Sequence, residues 1–208
     1  MHSANSFFYF FNSWLTIFSF VSLFSLPAQA FYTVQDTGDI IDFDKNQFST
    51  QVQFVTNGDD GVNLIGFYDK GVDEESSFRA EVGTGTTDIL LGVRYKWVPY
   101  PDFDKQPAIG FIFGFHYANF EDENEIALRA IPILSKKLDS SVGLFTPYAA
   151  LPIGFSNYDD DTETPIQLSL GSRFRHPNFS SCDFNVEVGF ELSDAITYIS
   201  VGAIFPAF

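Results

Sequence analysis

Apart from Ser172, apolar side chains recur at every second position from Ile166 to Leu192, on either side of a polar break at 176–182. The positions between them carry polar, charged or small side chains. A period of two is the spacing of a β-strand, whose successive side chains point to opposite faces. This stretch therefore predicts two antiparallel strands joined by a short turn, with one apolar and one polar face.

The same alternation recurs along most of the chain from residue 48 onward and predicts about ten strands, most of them close to the length that a tilted strand needs to cross an outer membrane. The predicted ranges are 48–56, 62–68, 78–83, 89–97, 108–118, 126–134, 145–155, 166–175, 183–192 and 196–208. The stretches 135–143 and 158–163 are expected to be turns. Proline cannot donate a main-chain hydrogen bond, so Pro147 and Pro152 predict a bulge or distortion in the seventh strand.

The cations of the predicted strands all fall on the polar phase. They are Arg79, Arg94, Lys96, Arg129, Arg173 and Arg175. A cation on the lipid face at mid-bilayer costs about 2–4 kcal/mol, so this distribution favours an apolar phase that meets lipid. We predict an all-β fold, an antiparallel up-and-down transmembrane β-barrel. The alternative is a secreted soluble β-barrel or sandwich, which would turn the apolar phase inward.

The first thirty residues have the pattern of an export signal. An apolar run at 14–26 is followed by Pro27-Ala28-Gln29-Ala30, which predicts a signal peptide at 1–30 with cleavage after Ala30. An uncleaved anchor helix is the alternative. Residues 31–47 have no clear period and are expected to form a periplasmic lead-in segment with room for a short extra strand. The barrel is expected to cover 48–208.

The charge and the cysteine content exclude several classes of function. A formal net charge of −16 argues against nucleic-acid binding, which needs a basic surface. Cys182 is the single cysteine and has no partner for an internal disulfide. We find no phosphate-binding glycine loop, zinc-ligand spacing or nucleotide fingerprint, so neither a cofactor nor a metal ion is expected.

The signal peptide, the even run of alternating strands and the terminal Phe208 resemble small outer-membrane β-barrel proteins of Gram-negative bacteria. The resemblance implies export to the outer membrane, where lipid and lipopolysaccharide surround the barrel. It also implies recognition by the barrel assembly machinery, for which Phe208 would be part of the membrane-assembly signal. In such barrels both termini lie in the periplasm.

The polar phase predicts a charge network in the lumen. Its members are Arg79, Glu81, Arg94, Lys96, His116, Arg129, Arg173, Arg175, Asp183, Glu187 and Glu191. Arg173 and Glu187 are expected to lie roughly opposite each other, on the two strands joined by the turn at 176–182. A barrel of about ten strands is only slightly wider than one that its own side chains fill, which favours a plugged or narrow lumen. The alternative is the selectivity lining of a channel for ions or small solutes.

The connections at the opposite end from the termini are predicted to carry an outer acidic rim. It comprises Asp59, Asp60, Glu121, Asp122, Glu123, Asp159, Asp160 and Asp161. A solvated rim is the plain interpretation. The sharper hypothesis is that these carboxylates bind divalent cations, because hard cations prefer oxygen ligands.

A hydrolase is a further alternative, because some outer-membrane enzymes are built on such barrels. His116 lies in the middle of a predicted strand, and Ser156 could lie at a similar level. The residues that follow His116 are Tyr-Ala-Asn and do not match the His-x-Ser-Asn motif of outer-membrane deacylases. We therefore predict no enzymatic activity, and a structural or surface-interaction role instead.

Overall fold

The computed structural model describes residues 33–57, 61–120, 123–158, 161–179 and 181–205. Within these ranges the chain forms thirteen β-strands. They are β1 (Asn46–Val55), β2 (Gly61–Gly71), β3 (Ser76–Gly85), β4 (Ile89–Tyr100), β5 (Ala108–Phe120), β6 (Glu123–Ser135), β7 (Leu138–Ser140), β8 (Gly143–Ala150), β9 (Ile153–Tyr158), β10 (Asp161–Glu163), β11 (Ile166–Arg175), β12 (Asp183–Ser193) and β13 (Tyr198–Phe205). In the described ranges no helix is long and apolar enough to cross a membrane. The predicted signal peptide and the terminal Phe208 lie outside these ranges.

Consecutive strands pair antiparallel around a closed barrel. β13 pairs with β1, while β8 and β9 follow one another in the wall between β6 and β11. Counting β8 and β9 as one, and leaving out the short hairpin extensions β7 and β10, the wall has ten strands. The predicted fold class is confirmed: the protein is an all-β, up-and-down, ten-stranded barrel.

The distortion predicted in the seventh strand is found at Pro152. β8 ends at Ala150 and β9 begins at Ile153. The break keeps hydrogen bonds to both neighbouring strands, from Leu151 N to Pro132 O at 3.1 Å and from Gln167 N to Pro152 O at 3.0 Å. Pro147 causes no such break, since the register of β8 against β11 continues through it.

Several boundaries differ from the sequence-based expectation, most of them by one to three residues. The stretches expected to be turns at 135–143 and 158–163 contain the short strands β7 and β10, which extend hairpins beyond the wall. The second strand continues to Gly71 rather than ending at Tyr68. This places Asp69 in the barrel wall, where only 2% of its surface is exposed.

The outward face of the wall is apolar and the inward face is polar. In β4 the outward side chains run from Ile89 to Trp97 at every second position and are 41–51% exposed. The inward side chains between them include Arg94 and Lys96, which are 3% and 6% exposed. The phase predicted to face outward therefore does so. The charged lumen is the buried part of the molecule.

Residues 33–41, called the inner segment below, run inside the barrel and form no strand. They enter at the end of the barrel where β1 begins. Val34 and Gln35 are 0% and 1% exposed. Val34 packs in an apolar cluster of the inner wall with Ile112, Ile131, Ile133, Tyr148 and Ala150. Residues 33–41 of the predicted lead-in thus lie within the barrel, residues 42–45 are exposed, and 46–47 belong to β1. The periplasmic location of the lead-in stays a prediction.

Candidate functional site

The carboxylate of Glu187 anchors the deepest part of the inner segment. It accepts hydrogen bonds from the main-chain nitrogens of Val34, at 2.9 Å, and Gln35, at 2.7 Å. The hydroxyls of Tyr148 and Tyr198 donate to the same carboxylate at 2.6 Å and 2.5 Å. Glu187 is fully buried. These four donors satisfy a carboxylate that would otherwise be costly to bury.

Two wall arginines hold the carbonyl oxygens of the same residues. Arg94 donates to Thr33 O at 2.9 Å and to Val34 O at 3.1 Å. Arg79 donates to the carbonyl oxygens of Val34 and Gln35, both at 3.2 Å. The segment has no strand partner, so wall side chains supply the main-chain hydrogen bonds that a ladder would otherwise provide.

Lys96 holds the next part of the segment. Its Nζ lies 2.7 Å from Asp36 Oδ1 and donates to Thr37 O at 3.2 Å and Asp39 O at 2.8 Å. Burial would raise the pKa of the Asp36 carboxyl, but the charges of Lys96 and Arg79 outweigh it and hold that pKa below its ordinary value. Asp36 is therefore ionised at neutral pH and balances the buried ammonium group of Lys96.

Behind these contacts, wall residues form ion pairs with one another. Arg79 Nε lies 2.6 Å from Asp69 Oδ1, and Arg94 Nη2 lies 2.8 Å from Glu81 Oε2. The same Glu81 carboxylate contacts Nε2 of His116. Four wall charges and the imidazole thus lie together in the buried interior of the barrel.

Glycines on either side of His116 make room for its ring. A Cβ atom on Gly92 would lie 2.7 Å from His116 Cδ2, and one on Gly114 would lie 2.8 Å from Cε1. Real Cβ atoms do not come so close to other heavy atoms. The small residues noticed on the inward phase therefore define where the imidazole can lie.

A second group of charges surrounds the end of the barrel where the segment enters. Asp39 lies 2.9 Å from Lys137 Nζ and 3.8 Å from Arg173 Nη1. Asp183 binds Arg173 at 2.5 Å and Arg175 at 2.8 Å. A polar cavity of about 280 Å³ lies between these side chains and the segment.

The expected pairing of Arg173 with Glu187 is wrong. Arg173 is paired in register with Asn185, and Glu187 with Gly171. The difference is two residues, so both side chains still point inward but meet other partners. Glu191 is exposed and accepts a hydrogen bond from Asn57 Nδ2 at 2.6 Å, apart from the lumen network. Arg129 is buried in the wall, 6% exposed.

Most of the predicted acidic rim lies outside the described residues. Asp59, Asp60, Glu121, Asp122, Asp159 and Asp160 lie outside the described residues, and only the main chain of Glu123 and Asp161 is described. Elsewhere in the described chain, no group of three or more His, Cys, Asp or Glu residues could hold a metal ion. Cation binding at the rim stays a prediction.

His116 and Ser156, the candidate residues for hydrolysis, contact different partners. The Ser156 hydroxyl donates to the Glu125 carboxylate, whereas His116 contacts Glu81. A nucleophilic serine needs a hydrogen bond to its base. Among the described residues no hydrogen bond joins Ser156 to His116. The absence of an enzymatic activity stays a prediction.

Several residues of the lumen were not recognised from sequence. Asp36 and Asp39 lie in a segment without period, and Asp69 directly follows the predicted end of the second strand. For Tyr198 the sequence does carry a signal: Ile199, Val201 and Ala203 make the other phase of the last strand the more apolar one, which assigns Tyr198 to the inward face. Ile199 and Val201 are 46% and 48% exposed, whereas Tyr198 is fully buried.

No protein-family model and no curated protein matches the chain. Among solved structures, one similar chain comes from "De novo design of transmembrane beta-barrels", with 14% identity, 85% of this chain and 100% of that chain covered, and a TM-score of 0.40. Another is a bacterial polysaccharide outer membrane secretin, with 11% identity, 79% of this chain and 66% of that chain covered, and a TM-score of 0.46. Both similarities are too low to bear on function.

Proposed function

We propose that this protein is an integral outer-membrane β-barrel whose lumen is plugged by its own inner segment. Its role is structural, or is an interaction at the membrane surface, rather than transport. The observation that carries the proposal is the reversal of polarity across the wall. The outward face is apolar, whereas the inward face holds Arg79, Arg94 and Lys96, each at most 6% exposed.

A soluble binding protein would have the opposite arrangement, with its apolar phase around an enclosed core. Here Phe113, Leu128 and Phe155 point outward and are 50%, 58% and 65% exposed. Large contiguous apolar surfaces are rare on soluble monomers and are typical of membrane or protein contacts. A closed barrel whose outer surface is apolar all round is best accommodated in a lipid bilayer.

The plugged lumen is supported by the contacts of the inner segment. Wall side chains bind its main chain from Thr33 to Asp39, and Val34 packs against the apolar inner wall. A channel for ions or small solutes would require the segment to leave. Conductance of the unmodified protein in a planar bilayer separates the two roles: discrete current steps support a channel, and their absence supports the plug.

The proposed partners follow from the membrane location. They are lipid and lipopolysaccharide around the wall, and the barrel assembly machinery during insertion, with Phe208 in the assembly signal. Divalent cations at the acidic rim are a further candidate, because carboxylate oxygens suit calcium. Calcium titration by calorimetry tests that candidate, and a titration without heat would reject it.

Electrophoretic mobility of the outer-membrane fraction, boiled and unboiled, tests the proposed location. A folded transmembrane barrel resists detergent and changes mobility on heating. The proposal expects this change in the membrane fraction. A protein that stays in the soluble fraction and migrates identically before and after heating would show that the apolar face does not meet lipid.

A further inference from the structure

The wall recognises the inner segment chiefly through its main chain. The N–H groups of Val34 and Gln35 donate to Glu187, and that of Gly38 donates to the Ser135 hydroxyl at 2.9 Å. Carbonyl oxygens at 33, 34, 35, 37 and 39 accept hydrogen bonds from Arg94, Arg79 and Lys96. Every polypeptide offers these groups, so most contacts do not depend on the segment's sequence.

The remaining contacts select for negative charge. Arg79, Arg94 and Arg173 each have a carboxylate of the wall beside them. For Lys96 and Lys137, the ion pairs in the described chain are formed with the segment, to Asp36 at 2.7 Å and to Asp39 at 2.9 Å. Lys96 is almost fully buried. A buried ammonium group needs a counter-charge, so the lumen favours an occupant with a carboxylate at the position of Asp36. A second carboxylate three residues on meets Lys137, whose side chain is 47% exposed, and contributes less.

We infer that the lumen is a binding site for an extended acidic polypeptide and that the inner segment is its resident occupant. The inference rests on the proposed occupation of the lumen but not on the location in a membrane. A segment of another chain with the same carboxylate spacing would fit the same contacts once the resident segment has left.

The connection between the inner segment and the wall can be cut without touching the site. Residues 42–45 are exposed and form a turn into β1, in which Phe43 is 63% exposed and Asp44 has a φ of 61°. After cleavage in this turn, only the contacts in the lumen retain the segment. The tether otherwise gives it an effective concentration of about millimolar, which would hide binding of a second peptide.

The experiment uses the full chain with a site-specific protease sequence in place of residues 42–45. A second version inserts that sequence after Asp44, in case the replacement disturbs folding. Heat-dependent mobility shows which version is folded before it is cut. The cut barrel, in detergent, is then mixed with a dye-labelled synthetic peptide of residues 33–41, and uptake is followed by fluorescence anisotropy.

The inference expects the cut segment to exchange with the labelled peptide until one peptide is bound per barrel. A peptide whose other residues are shuffled, while Val34, Gly38 and both aspartates stay in place, should bind within about tenfold of the original. Val34 and Gly38 are kept because Val34 packs in the apolar cluster and a Cβ atom at Gly38 would lie 2.4 Å from Ala108 Cβ. A peptide with Asp36→Asn and Asp39→Asn should bind at least about tenfold more weakly. The Lys96→Met barrel should lose much of this difference, whereas the Lys105→Met barrel, altered in an exposed loop, should keep it. The uncut protein should take up no peptide.

Two results would overturn the inference. One is a folded, cut barrel that takes up no labelled peptide, whether its own segment has left or remains bound. The other is equal binding of the peptides with and without aspartates. Either result leaves the outer-membrane proposal intact, because that is judged by membrane fractionation. Failure to reach the membrane would in turn leave the binding result valid.

Discussion

Lys96 of the barrel wall and Asp36 of the inner segment form an ion pair, with Nζ 2.7 Å from Oδ1. Their side chains are only 7% and 11% exposed. Burying either charge without the other costs several kcal/mol, so the wall and the segment depend on one another. The segment therefore does more than fill the lumen: its carboxylate neutralises the buried charge of Lys96.

Replacing Asp36 by asparagine leaves Lys96 buried without its counter-charge. We expect Asp36→Asn to lower the free energy of unfolding by about 3–5 kcal/mol. Guanidinium unfolding in detergent micelles, followed by tryptophan fluorescence, measures this change. Asp44→Asn is the matched control: the Asp44 side chain is 71% exposed and lies 4.0 Å from Lys70, so its loss should matter little.

A double-mutant cycle checks that the effect belongs to the pair. Asp36→Asn with Lys96→Met should be less destabilised than the sum of the two single variants, because the double variant has no unbalanced charge. Strict additivity, or equal effects of Asp36→Asn and Asp44→Asn, would contradict the buried ion pair.

The position of His116 depends on the absence of side chains beside it. We expect Gly114→Ala to cost about 1–3 kcal/mol, since the new methyl group would lie against the imidazole. Thermal unfolding measures the cost. Gly66→Ala is the control, because the nearest atoms to a Cβ there are 3.9 Å away. Similar effects of the two substitutions would show that the ring does not lie between Gly92 and Gly114.

A charge on the outward face should oppose membrane insertion. Leu128 lies in the middle of β6 and is 58% exposed, so Leu128→Arg should cost about 2–4 kcal/mol and reduce the amount of folded protein in the membrane fraction. Phe103→Arg, in the loop between β4 and β5, changes a residue that is 78% exposed and should insert normally. A soluble, stable Leu128→Arg protein would argue for an aqueous surface.

Glu187 is expected to control how firmly the segment is held. The Glu187 carboxylate accepts four hydrogen bonds. In Glu187→Gln only one side-chain oxygen remains to accept them, and the new NH₂ group, itself a donor, lies against other donors and cannot bond to them. We expect intermittent current steps in planar bilayers where the unmodified protein gives none. Glu191→Gln changes an exposed carboxylate at the barrel end and should remain silent. Silence of both variants would show that Glu187 does not hold the plug.

The strands and their faces could be predicted from sequence, because inside and outside differ in polarity at every second residue. Alternation alone is enough to assign Trp97 to the outward face and Lys96 to the inward face. The partners of each lumen charge could not be predicted. A shift of two residues keeps every side chain on its face, so alternation does not distinguish Asn185 from Glu187 as the neighbour of Arg173.

The position of the inner segment was beyond sequence reasoning for a different reason. Its contacts join distant parts of the chain: Val34 and Glu187 are 153 residues apart. The segment has no period, because wall side chains rather than a neighbouring strand satisfy its main chain. Its acidic residues therefore gave no indication that they would meet Lys96 and Lys137.

Hydrogen–deuterium exchange of the intact protein in lipid vesicles tests the occupied lumen most directly. The amides of Val34, Gln35 and Gly38 lie in no strand, yet each donates to a wall side chain. We predict that they exchange as slowly as strand amides, on the order of a hundredfold or more below the rate of an unstructured peptide. Exchange at the unstructured rate would contradict a segment held inside the barrel.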